Sequence, residues 1–398
     1  MLHIRKSVTA SAGCPEIIYN ILVVPEFVQS CFKRVSSVSR HNPVWQTVPR
    51  HRRVTLHHFA GNHRPACWAA IETRPVMVTI LLMALQHFLP VRSRTCTPQR
   101  QVIQRQWDVL GCTCRMSSFR PCSQAEVRRT IMKSPVKSWS LNPVPTFLLR
   151  EFVDLLLPFV TCMVIVSLHQ GPLPKSQHHA IVVPVLKKPG LNTADMANFR
   201  LVSNVTFMSK IAQRVVAQQL HEYLAINELL PRNQSAYRSH HSTGTTMLRV
   251  ISDALSEADE QRVTLLASLD MTAAFDCVDH SLLPMRLQWN FGLQKTALEW
   301  MTSFLTGRTL QLAYTGQLSP ILPVLYGVPK GSVLGPLLFV LYMTELHDVV
   351  AKHGVTIHQN ADDCYLYASM PIRDVQLATD RLSRCMADVS DWLDGSCL

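Results

Sequence analysis

Apolar and polar residues alternate in two short segments near the carboxyl end of the chain, residues 355–358 and 364–367. A period of two is typical of β-strands with one buried face, and the polar stretch between them predicts a hairpin turn. Two adjacent carboxylates, Asp362 and Asp363, lie in this turn. By itself such a pair is more often an ordinary turn. Because the two charges repel each other, a divalent cation would stabilise them.

A continuous apolar run over residues 263–269 predicts a buried strand, and it ends at a third carboxylate, Asp270. Between this strand and the hairpin lies a glycine-rich loop, residues 327–335, followed by an apolar helix predicted to end near Val350. A third carboxylate at a strand end favours a metal site over an ordinary turn at the hairpin. The order of elements is strand with aspartate, glycine-rich loop with helix, and hairpin with two aspartates.

The middle of the chain alternates between strand and helix patterns. Residues 179–186 predict a strand that ends at Lys187 and Lys188, and a polar loop leads on to residues 198–203. Further strands are predicted at residues 311–314 and 322–325. Helical spacing predicts helices over residues 147–156, 204–230 (with Ser203 as its cap), 246–257, 279–290, 295–305 and 375–393. Gly171, Pro231, Gly292 and Gly307 are the expected breaks.

The first 140 residues show no sustained periodicity, and we assign them no fold. Apolar runs at residues 17–24, 76–89 and 155–168 are shorter than the roughly 18 residues that span a bilayer. The first run lacks the features of a secretory signal, and the other two predict buried helices. We therefore divide the chain into a basic leader (1–140), a helical lead-in (141–175) and a folded domain (176–398).

Charge is distributed unevenly along the 398 residues, which are 47% hydrophobic and carry a net charge of +12. Residues 1–140 contain 20 Lys and Arg against 5 Asp and Glu, whereas residues 141–398 contain 19 against 22. The basic character therefore belongs to the front third. A basic segment favours an anionic partner such as nucleic acid, although these charges are scattered among Pro, His and Cys and follow no helical face.

The twelve cysteines show no zinc-binding spacing. Cys112 and Cys114 are followed by Cys122 without a second matching pair, and no C-x₂-C has a histidine partner at the required spacing. Free thiols in an intracellular protein are the simpler interpretation.

Three motifs in the second half of the chain resemble those of one enzyme family. Residues 270–276 match D-x-x-x-A-F-D, residues 327–339 match G-x-P-Q-G-S-x-L-G-P-x-L-F, and residues 360–363 match Y-A-D-D apart from its first residue. These are the palm signatures of the reverse transcriptases of non-LTR (LINE-type) retrotransposons. Because three independent motifs occur in the right order and spacing, the chain is similar to that family.

The resemblance implies an α+β fold, a right-hand polymerase with fingers and a palm whose antiparallel sheet is backed by helices. It implies an RNA-directed DNA polymerase that transfers a nucleotide from a dNTP to the 3′-OH of a DNA primer on an RNA template. Asp270, Asp362 and Asp363 would be catalytic. With the carbonyl of Met271, they would hold two Mg²⁺ ions, for which Mn²⁺ could substitute.

The resemblance also places a nucleotide-binding site in the fingers. Arg200 matches the arginine of the family motif N-Y-R-P-[IV]-S, and either Lys187 or Lys188 would be the second contact with the triphosphate. The alternative for the two lysines is that they only solubilise the end of a strand. Residues 234–238 match a segment that lies along the template in related enzymes.

Three palm residues complete the expected nucleotide site. Phe275 matches the aromatic residue on which the nucleotide sugar rests and whose bulk excludes a 2′-hydroxyl; the alternative is a core aromatic. Lys330 and Gly331 lie in the loop that touches template and nucleotide. A glycine there permits close approach of the backbone to the template-primer pair.

The sequence departs from the family pattern at several positions. Asn360 replaces the Tyr of Y-A-D-D, Lys330 replaces the Gln of G-x-P-Q-G, and Leu201 replaces the Pro after Arg200. The sequence ends before the L-N-x-x-K-T strand and the thumb that follow in the family. We therefore expect a palm without its thumb and with an unpaired sheet edge.

Two interpretations of function stay open. The first is a reverse transcriptase domain, in a truncated copy that is active or inactive. The second is a catalytically dead relic of a retroelement that at most binds nucleic acid. Membrane association through the apolar runs is a third interpretation, but no stable association is expected. Integration would require access to the nucleus, and no clear import signal is present.

Overall fold

A computed structural model describes residues 4–8, 17–23, 112–135, 145–195, 198–271, 274–314 and 316–398, the first two segments by their backbone alone. The described residues form an α+β fold of two sheets and surrounding helices, which confirms the predicted fold class. The prediction for residues 76–89 lies outside the described residues.

The strands of the described residues are listed in chain order. They are β1 (Ile4–Val8), β2 (Ile17–Val23), β3 (His179–Leu186), β4 (Phe199–Val205), β5 (Arg262–Asp270), β6 (Arg308–Tyr314), β7 (Gln317–Leu318), β8 (Leu322–Val324), β9 (Thr356–Asn360) and β10 (Asp363–Pro371). The predicted strands at residues 179–186 and 263–269 and the predicted hairpin are therefore confirmed.

The α-helices alternate with these strands. They are α1 (Gln124–Lys133), α2 (Thr146–Glu151), α3 (Val153–Gln170), α4 (Phe207–Ile226), α5 (Thr243–Asp259), α6 (Ala274–Cys277), α7 (Leu282–Phe291), α8 (Lys295–Leu305), α9 (Gly335–Tyr342), α10 (Leu346–Ala351) and α11 (Val375–Gly395). As predicted, Gly171 ends α3 and Gly292 ends α7, both with positive φ.

The first sheet has the order β1-β2-β5-β10-β9, and each pair is antiparallel. Alternation along β5 directs its side chains to two faces. Leu266 packs with Val250 of α5 on one face, whereas Leu265 and Ala267 belong to the main core on the other. Helix α11 packs against β10 and β5. We call this sheet the palm sheet.

Strand β2 pairs with β5 on the side away from β10. Their register runs from Ile18 opposite Asp270 to Val23 opposite Leu265. A segment from the front third, to which no fold was assigned, therefore pairs with β5, and β1 and β9 are the outer strands of this sheet among the described residues. The pairing satisfies hydrogen-bonding groups that an edge strand would leave open.

The second sheet has the order β4-β3-β6-β7, and β8 also pairs with β6. Strands β3 and β4 form an antiparallel hairpin, whereas β3 and β6 are parallel. We call this sheet the fingers sheet. It joins the palm through the glycine-rich loop, where the amide of Ser203 donates to the carbonyl of Lys330 at 2.6 Å.

A single large core unites the helices. Helix α1 packs against α3 and α4 through Val127 and Ile131, which are fully or almost fully buried. The indole of Trp300 in α8 is completely buried and donates to Ser167 of α3 at 3.1 Å. The helices before residue 176 therefore pack on the same core as the palm sheet.

Several helix boundaries differ from the predictions; the helix predicted over residues 147–156 is divided at Phe152 between α2 and α3. Helix α4 begins at Phe207 because Asn204 belongs to β4, and its cap is Thr206, whose hydroxyl accepts from the amide of Ser209. The apolar helix predicted to reach Val350 stops at Tyr342. The carbonyl of Tyr342 accepts from buried Arg286 at 2.8 Å, and a turn separates α9 from α10.

Helix α3 has one buried and one exposed apolar face. By length and composition it is the one helix in the described part of the chain that could span a membrane, and 39% of it is buried. Leu155 and Phe159 are 70% and 67% exposed. The sequence predicted a shorter, buried helix, and this prediction is wrong for the exposed face. The absence of stable membrane association stays a prediction.

Candidate functional site

The strand register brings the predicted carboxylates to one end of the palm sheet. Leu269 of β5 lies opposite Cys364 of β10, so the next position on each strand is Asp270 and Asp363. Asp362 lies in the two-residue turn between Asn360 and Asp363. Ala361, the other turn residue, has φ +62°, a conformation that L-residues rarely adopt. Such strain is found where surrounding structure fixes a functional turn.

The electrostatics of the turn depend on burial. Asp362 is partly buried, and burial raises its pKa; the Asp270 carboxylate raises it further, while Lys330 opposes both effects. Asp270 and Asp363 are exposed. A cation between these carboxylates would lower the pKa of Asp362 and favour its charged form.

The donor set fits a hard divalent cation only in part. Carboxylate oxygens are the ligands that Mg²⁺ prefers, and Met271 is buried directly after Asp270. No three His, Cys, Asp or Glu side chains of the described residues are grouped closely enough to hold a metal ion by themselves. Ions at this site would therefore need further oxygens from water or from substrate phosphates, as is usual for Mg²⁺.

Phe275 is held by the helix that follows the glycine-rich loop. Its ring stacks on Phe339 of α9 at a centroid distance of 4.2 Å, with 25° between the ring planes. The side chain is partly buried against the main core. This packing fixes the ring and agrees with the alternative of a core aromatic, while contact with a nucleotide sugar stays a prediction.

The glycine-rich loop contacts the palm residue Asp276, strand β4 and helix α4. Lys330 forms an ion pair with Asp276 at 2.5 Å. Gly331 has φ +102°, and a Cβ there would lie 2.7 Å from the carbonyl oxygen of Ser203. The buried Gln213 of α4 accepts from the amide of Val333 at 2.8 Å. The close backbone approach at Gly331 is therefore to β4 of the fingers sheet.

Part of the predicted nucleotide site lines one cavity of about 290 Å³. Lys187, Arg200 and Lys330 line it together with Asp276 and Arg308. Arg200 also donates to the carbonyl of Lys187 at 3.2 Å. We call this space the fingers cavity.

Several predicted residues lie outside the fingers cavity. Lys188 is exposed, and Gly331 lines a different cavity of about 460 Å³ that also contains Lys210 and Arg214. Phe275 and the three aspartates do not line the fingers cavity either. The structure thus separates the carboxylate end of the palm sheet from the cationic cavity of the fingers.

Sequence reasoning missed Asp276 and Arg308 as lining residues of the fingers cavity. Asp276 is the last residue of D-x-x-x-A-F-D, and that position was the available signal; nothing in the local sequence marks Arg308. Tyr237 is close enough to Asp362 to be affected by its charge: burial raises the pKa of Tyr237, and the Asp362 carboxylate raises it further. Its loop is joined to β9, where Ser235 donates to the carbonyl of Gln359 at 2.9 Å.

The side chain of Asn360 forms a hydrogen bond within the protein. Its side-chain amide donates to the hydroxyl of Thr243, the first residue of α5, at 2.9 Å. The residue that replaces the family's Tyr therefore ties the hairpin to the beginning of α5.

An antiparallel sheet with paired carboxylates on a hairpin, a third at the end of the neighbouring strand and a glycine-rich loop beside them defines a polymerase palm. The family model described as "Reverse transcriptase (RNA-dependent DNA polymerase)" matches residues 185–397. The chain belongs to this family, and it is a reverse transcriptase domain of the non-LTR retrotransposon type. Members of the family generally use divalent metal ions and act on a nucleic-acid template, a primer and nucleotides.

Two of the curated relatives come from mobile elements of Drosophila melanogaster. The chain is 27% identical to the RNA-directed DNA polymerase from mobile element jockey over 68% of its length, and 28% identical to the probable RNA-directed DNA polymerase from transposon X-element over 70%. It spans 30% of the length of each of these relatives. A solved structure, apo telomerase from Candida tropicalis truncated from its C-terminal domain, matches 52% of this chain and 47% of that chain with a TM-score of 0.38 and 14% identity.

Proposed function

We propose that this chain is an RNA-directed DNA polymerase that extends a DNA primer on an RNA template. The reaction joins the primer 3′-oxygen to the α-phosphate of a dNTP and releases pyrophosphate. Two Mg²⁺ ions would supply charge stabilisation for the attacking and leaving oxygens, with Mn²⁺ as a substitute. Asp270 and Asp362 would hold both ions, with Asp363 and the carbonyl of Met271 in support.

The observation that carries the proposal is the register of β5 and β10. It puts Asp270 and Asp363 at equivalent ends of neighbouring strands, with Asp362 in the adjoining turn. The raised pKa of Asp362 supports it, because burial and the nearby Asp270 carboxylate disfavour a second negative charge there. Such a pair of carboxylates gains stability from a bound cation.

The proposed nucleotide site is linked to the carboxylates through Lys330, whose charge acts on Asp362. Lys187, Arg200 and Lys330, which line the fingers cavity, would bind the triphosphate. Phe275 would support the sugar with its ring fixed on Phe339. Lys188 and Gly331 complete the proposed set, Lys188 from its exposed position at the end of β3 and Gly331 from the loop beside β4.

The test is primer extension on an RNA template with the full chain, with Mg²⁺ or Mn²⁺ present. We expect metal-dependent extension that Asp362→Asn abolishes and that Asp374→Asn, an aspartate outside the palm carboxylates, leaves unchanged. Extension that survives Asp362→Asn would contradict the proposed role of the hairpin. Absence of extension by the unaltered chain would contradict the proposed activity.

The second candidate function is nucleic-acid binding without catalysis. It is supported by the two residues that depart from the family pattern, since Asn360 bonds to Thr243 and Lys330 pairs with Asp276 within the protein. If this candidate is correct, RNA binds with an affinity that falls steeply as salt rises, and no primer is extended. Restored extension in Asn360→Tyr with Lys330→Gln would assign the loss of activity to these two positions.

We also propose the domain organisation. The family match begins at residue 185, within the domain predicted from residue 176. The packing of α1 on α3 and α4 and the pairing of β2 with β5 support a polymerase domain that includes residues 17–23 and 112–135. Limited proteolysis with mass spectrometry tests this organisation, which a stable fragment that begins near residue 141 and has lost residues 112–135 would contradict.

A further inference from the structure

Tyr237 carries an exposed aromatic ring on a strained piece of backbone. The residue is 51% exposed, and its φ is +54°, in the left-handed region that a bulky residue adopts only at a cost. The ring belongs to none of the hydrophobic clusters, and none of the aromatic pairs among the described residues includes it. Core packing therefore does not explain why an aromatic residue stands at this position.

The backbone at Tyr237 is fixed by its neighbours. The Nε2 atom of His221 in α4 lies 3.2 Å from the carbonyl oxygen of Tyr237 in a hydrogen bond. The side chain of Gln234, which is buried, accepts from the amide of Ala236 at 2.9 Å. These contacts maintain the left-handed conformation. Residues that the surrounding structure holds in such conformations are concentrated at functional sites.

The segment before Tyr237 runs alongside β9 towards the carboxylates. Gln359 donates to the carbonyl of Asn233, and Ser235 donates to the carbonyl of Gln359, both at 2.9 Å in a parallel arrangement. Because the two segments run in the same direction, the residues after Ser235 approach the turn that contains Asp362. The pKa of Tyr237 is raised first by burial and then by the Asp362 carboxylate, in agreement with this placement.

Tyr237 and the glycine-rich loop lie on opposite sides of the palm carboxylates. The glycine-rich loop bonds to the segment after β5, where the amides of Gly327 and Val328 donate to the carbonyls of Val278 and Phe275, both at 2.8 Å. The segment of Tyr237 instead borders β9, which lies beyond β10 in the palm sheet. The proposed nucleotide site is therefore on one side of the carboxylates and Tyr237 is on the other.

The neighbouring residue Asn360 supplies no ring. It stands where the pattern Y-A-D-D has tyrosine, and its side-chain amide donates to the hydroxyl of Thr243 in α5 at 2.9 Å. Aromatic side chains bind nucleic acid by stacking on bases of any sequence, because every base has a π-face. Tyr237 offers such a ring beside the same turn.

We propose that the ring of Tyr237 binds the 3′-terminal nucleotide of the DNA primer and takes the place of the ring that position 360 lacks. The inference rests on the proposed polymerase function, in which Asp362 holds the ions at the primer 3′-oxygen. The incoming nucleotide lies on the side of the glycine-rich loop, so the nucleotide on the side of Tyr237 is the one already joined to the primer. Stacking uses the ring of Tyr237 and not its hydroxyl.

Binding of a primer–template hybrid to the full chain tests this role without any requirement for catalysis. Fluorescence anisotropy in EDTA, at constant ionic strength, measures the Kd of a labelled RNA annealed to a shorter DNA primer and the Kd of the same RNA alone. We expect Tyr237→Leu to weaken binding of the hybrid about tenfold, equivalent to about 1.4 kcal/mol, and binding of the RNA alone by less than about twofold.

Two control variants accompany Tyr237→Leu. Tyr237→Phe keeps the ring, and Phe159→Leu removes a ring that is 67% exposed on α3; both are expected to leave the two Kd values unchanged. The proposal is overturned if the unaltered chain does not bind the hybrid, or if Tyr237→Leu binds it normally. It is also overturned if Tyr237→Leu weakens the hybrid and the RNA alone equally, or if Tyr237→Phe weakens the hybrid as much as Tyr237→Leu does.

A thermal readout separates this role from a structural one. Tyr237→Asn removes the ring but suits the left-handed backbone, because asparagine adopts this conformation more readily than tyrosine. We expect it to unfold without nucleic acid at the same temperature as the unaltered chain or higher, and to bind the hybrid as weakly as Tyr237→Leu. A tyrosine needed only for the fold would lower that temperature in Tyr237→Asn while hybrid binding persisted, which overturns the proposal.

A double-mutant cycle tests whether the rings at positions 237 and 360 share one role. With Asn360→Tyr already present, adding Tyr237→Leu is expected to weaken hybrid binding by less than about threefold. A tenfold loss in both backgrounds would show that the two positions act separately, which overturns the proposed replacement.

The polymerase proposal and the Tyr237 proposal fail independently. A chain that binds the hybrid through Tyr237 but extends no primer contradicts the polymerase activity alone. A chain that extends primers, and whose KM for the hybrid is the same in Tyr237→Leu, contradicts the role of Tyr237 alone.

Discussion

At the scale of single residues, Gly331 holds the glycine-rich loop against β4. A side chain at this position meets two obstacles, a φ of +102° and the carbonyl oxygen of Ser203 at 2.7 Å from the Cβ. Gly190 has a similar φ of +81° but open space around it. A comparison of substitutions at Gly331 and Gly190 therefore distinguishes the cost of backbone strain from the cost of a steric clash.

We expect Gly331→Ala to lower the free energy of unfolding by about 2–3 kcal/mol and Gly190→Ala by about 1 kcal/mol. The difference arises because only the first substitution forces β4 and the loop apart. Urea denaturation of both variants measures it. Equal losses would mean that the loop moves freely away from Ser203.

His347 makes the stability of the fold depend on pH. Burial lowers its pKa to about 4, and its Nε2 has no hydrogen-bond partner. The folded state thus binds a proton less readily than the unfolded state, in which histidine titrates near pH 6.5. Stability is complete above pH 6.5 and is lost as pH falls towards 4, by up to about 3 kcal/mol.

His347→Gln is expected to reduce this loss between pH 6.5 and pH 4. His178, His280 and His358 also have pKa values lowered by burial, so part of the pH dependence remains in the variant. Denaturation midpoints at a series of pH values measure the slope. A variant with the same slope as the unaltered chain would exclude His347 as a contributor.

Single residues were predictable from the sequence only where a motif contains them. Asp270, Asp362 and Asp363 stand at strand ends that the hydrophobic pattern marks. Arg308 has no local signal, because its place in the lining of the fingers cavity depends on strands more than 100 residues apart in the chain. The partner of Lys330 is likewise a tertiary contact, with Asp276 54 residues away.

At the scale of elements, buried Arg286 joins three helices. From α7 it donates to the carbonyl of Tyr342 in α9 and to the hydroxyl of Ser396 after α11, both at 2.8 Å, and pairs with Glu345 at 3.0 Å. The hydroxyl of Tyr342 donates to the carbonyl of Ser396 at 2.6 Å. This cluster fixes the end of α9 and the turn into α10.

Arg286→Met is expected to lower the free energy of unfolding by about 3–5 kcal/mol, because Glu345 then keeps a largely buried charge without its partner. Adding Glu345→Gln is expected to recover part of the loss. A double-mutant cycle in urea measures the coupling. Strictly additive effects would show that the ion pair contributes nothing to the junction.

Element types followed from periodicity, whereas some boundaries did not. The limits of α8 and α11 were predicted within two residues because a glycine or a long apolar stripe marks them. The break between α9 and α10 was missed because it depends on Arg286, 56 residues before Tyr342. The start of α4 was missed because Asn204 pairs with Ile181 of β3 rather than joining the helix.

At the scale of the whole molecule, several large apolar side chains are exposed along α2 and α3. Phe147, Phe152, Leu155, Phe159 and Met163 are each more than half exposed there. Apolar patches of this kind promote association between molecules. Substitution of its most exposed residues, Leu155 and Phe159, is expected to have little effect on folding stability.

Leu155→Lys with Phe159→Lys is expected to raise the concentration at which the protein stays monodisperse, without changing the free energy of unfolding by more than about 0.5 kcal/mol. Sedimentation velocity and urea denaturation measure the two quantities. Liposome co-sedimentation of the same proteins tests membrane association, for which we expect none with either protein. Pelleting of the unaltered chain but not the variant would identify α3 as a membrane contact.

The α+β class and the order of the palm elements were predictable because three motifs and their strands occur in one half of the chain. The position of β2 beside β5 was not, since backbone pairing between residues 17–23 and 262–270 depends on no side-chain motif. The distribution of charge marked the front third as a basic leader but did not predict that part of it joins the palm sheet. Long-range pairing is thus the part of this fold that sequence patterns leave undetermined.

The pairing of β5 with β10 determines when the carboxylate end of the palm sheet can form during synthesis. Asp270 leaves the ribosome about 90 residues before Asp362, and at roughly 5–20 residues per second this interval lasts several seconds or more. Throughout that time β5 has no β10 beside it. The newly made chain therefore passes through a period in which a strongly apolar strand is complete and one of its two edges, the one that pairs with β10, is open. An open edge of this kind is a site at which other chains can pair.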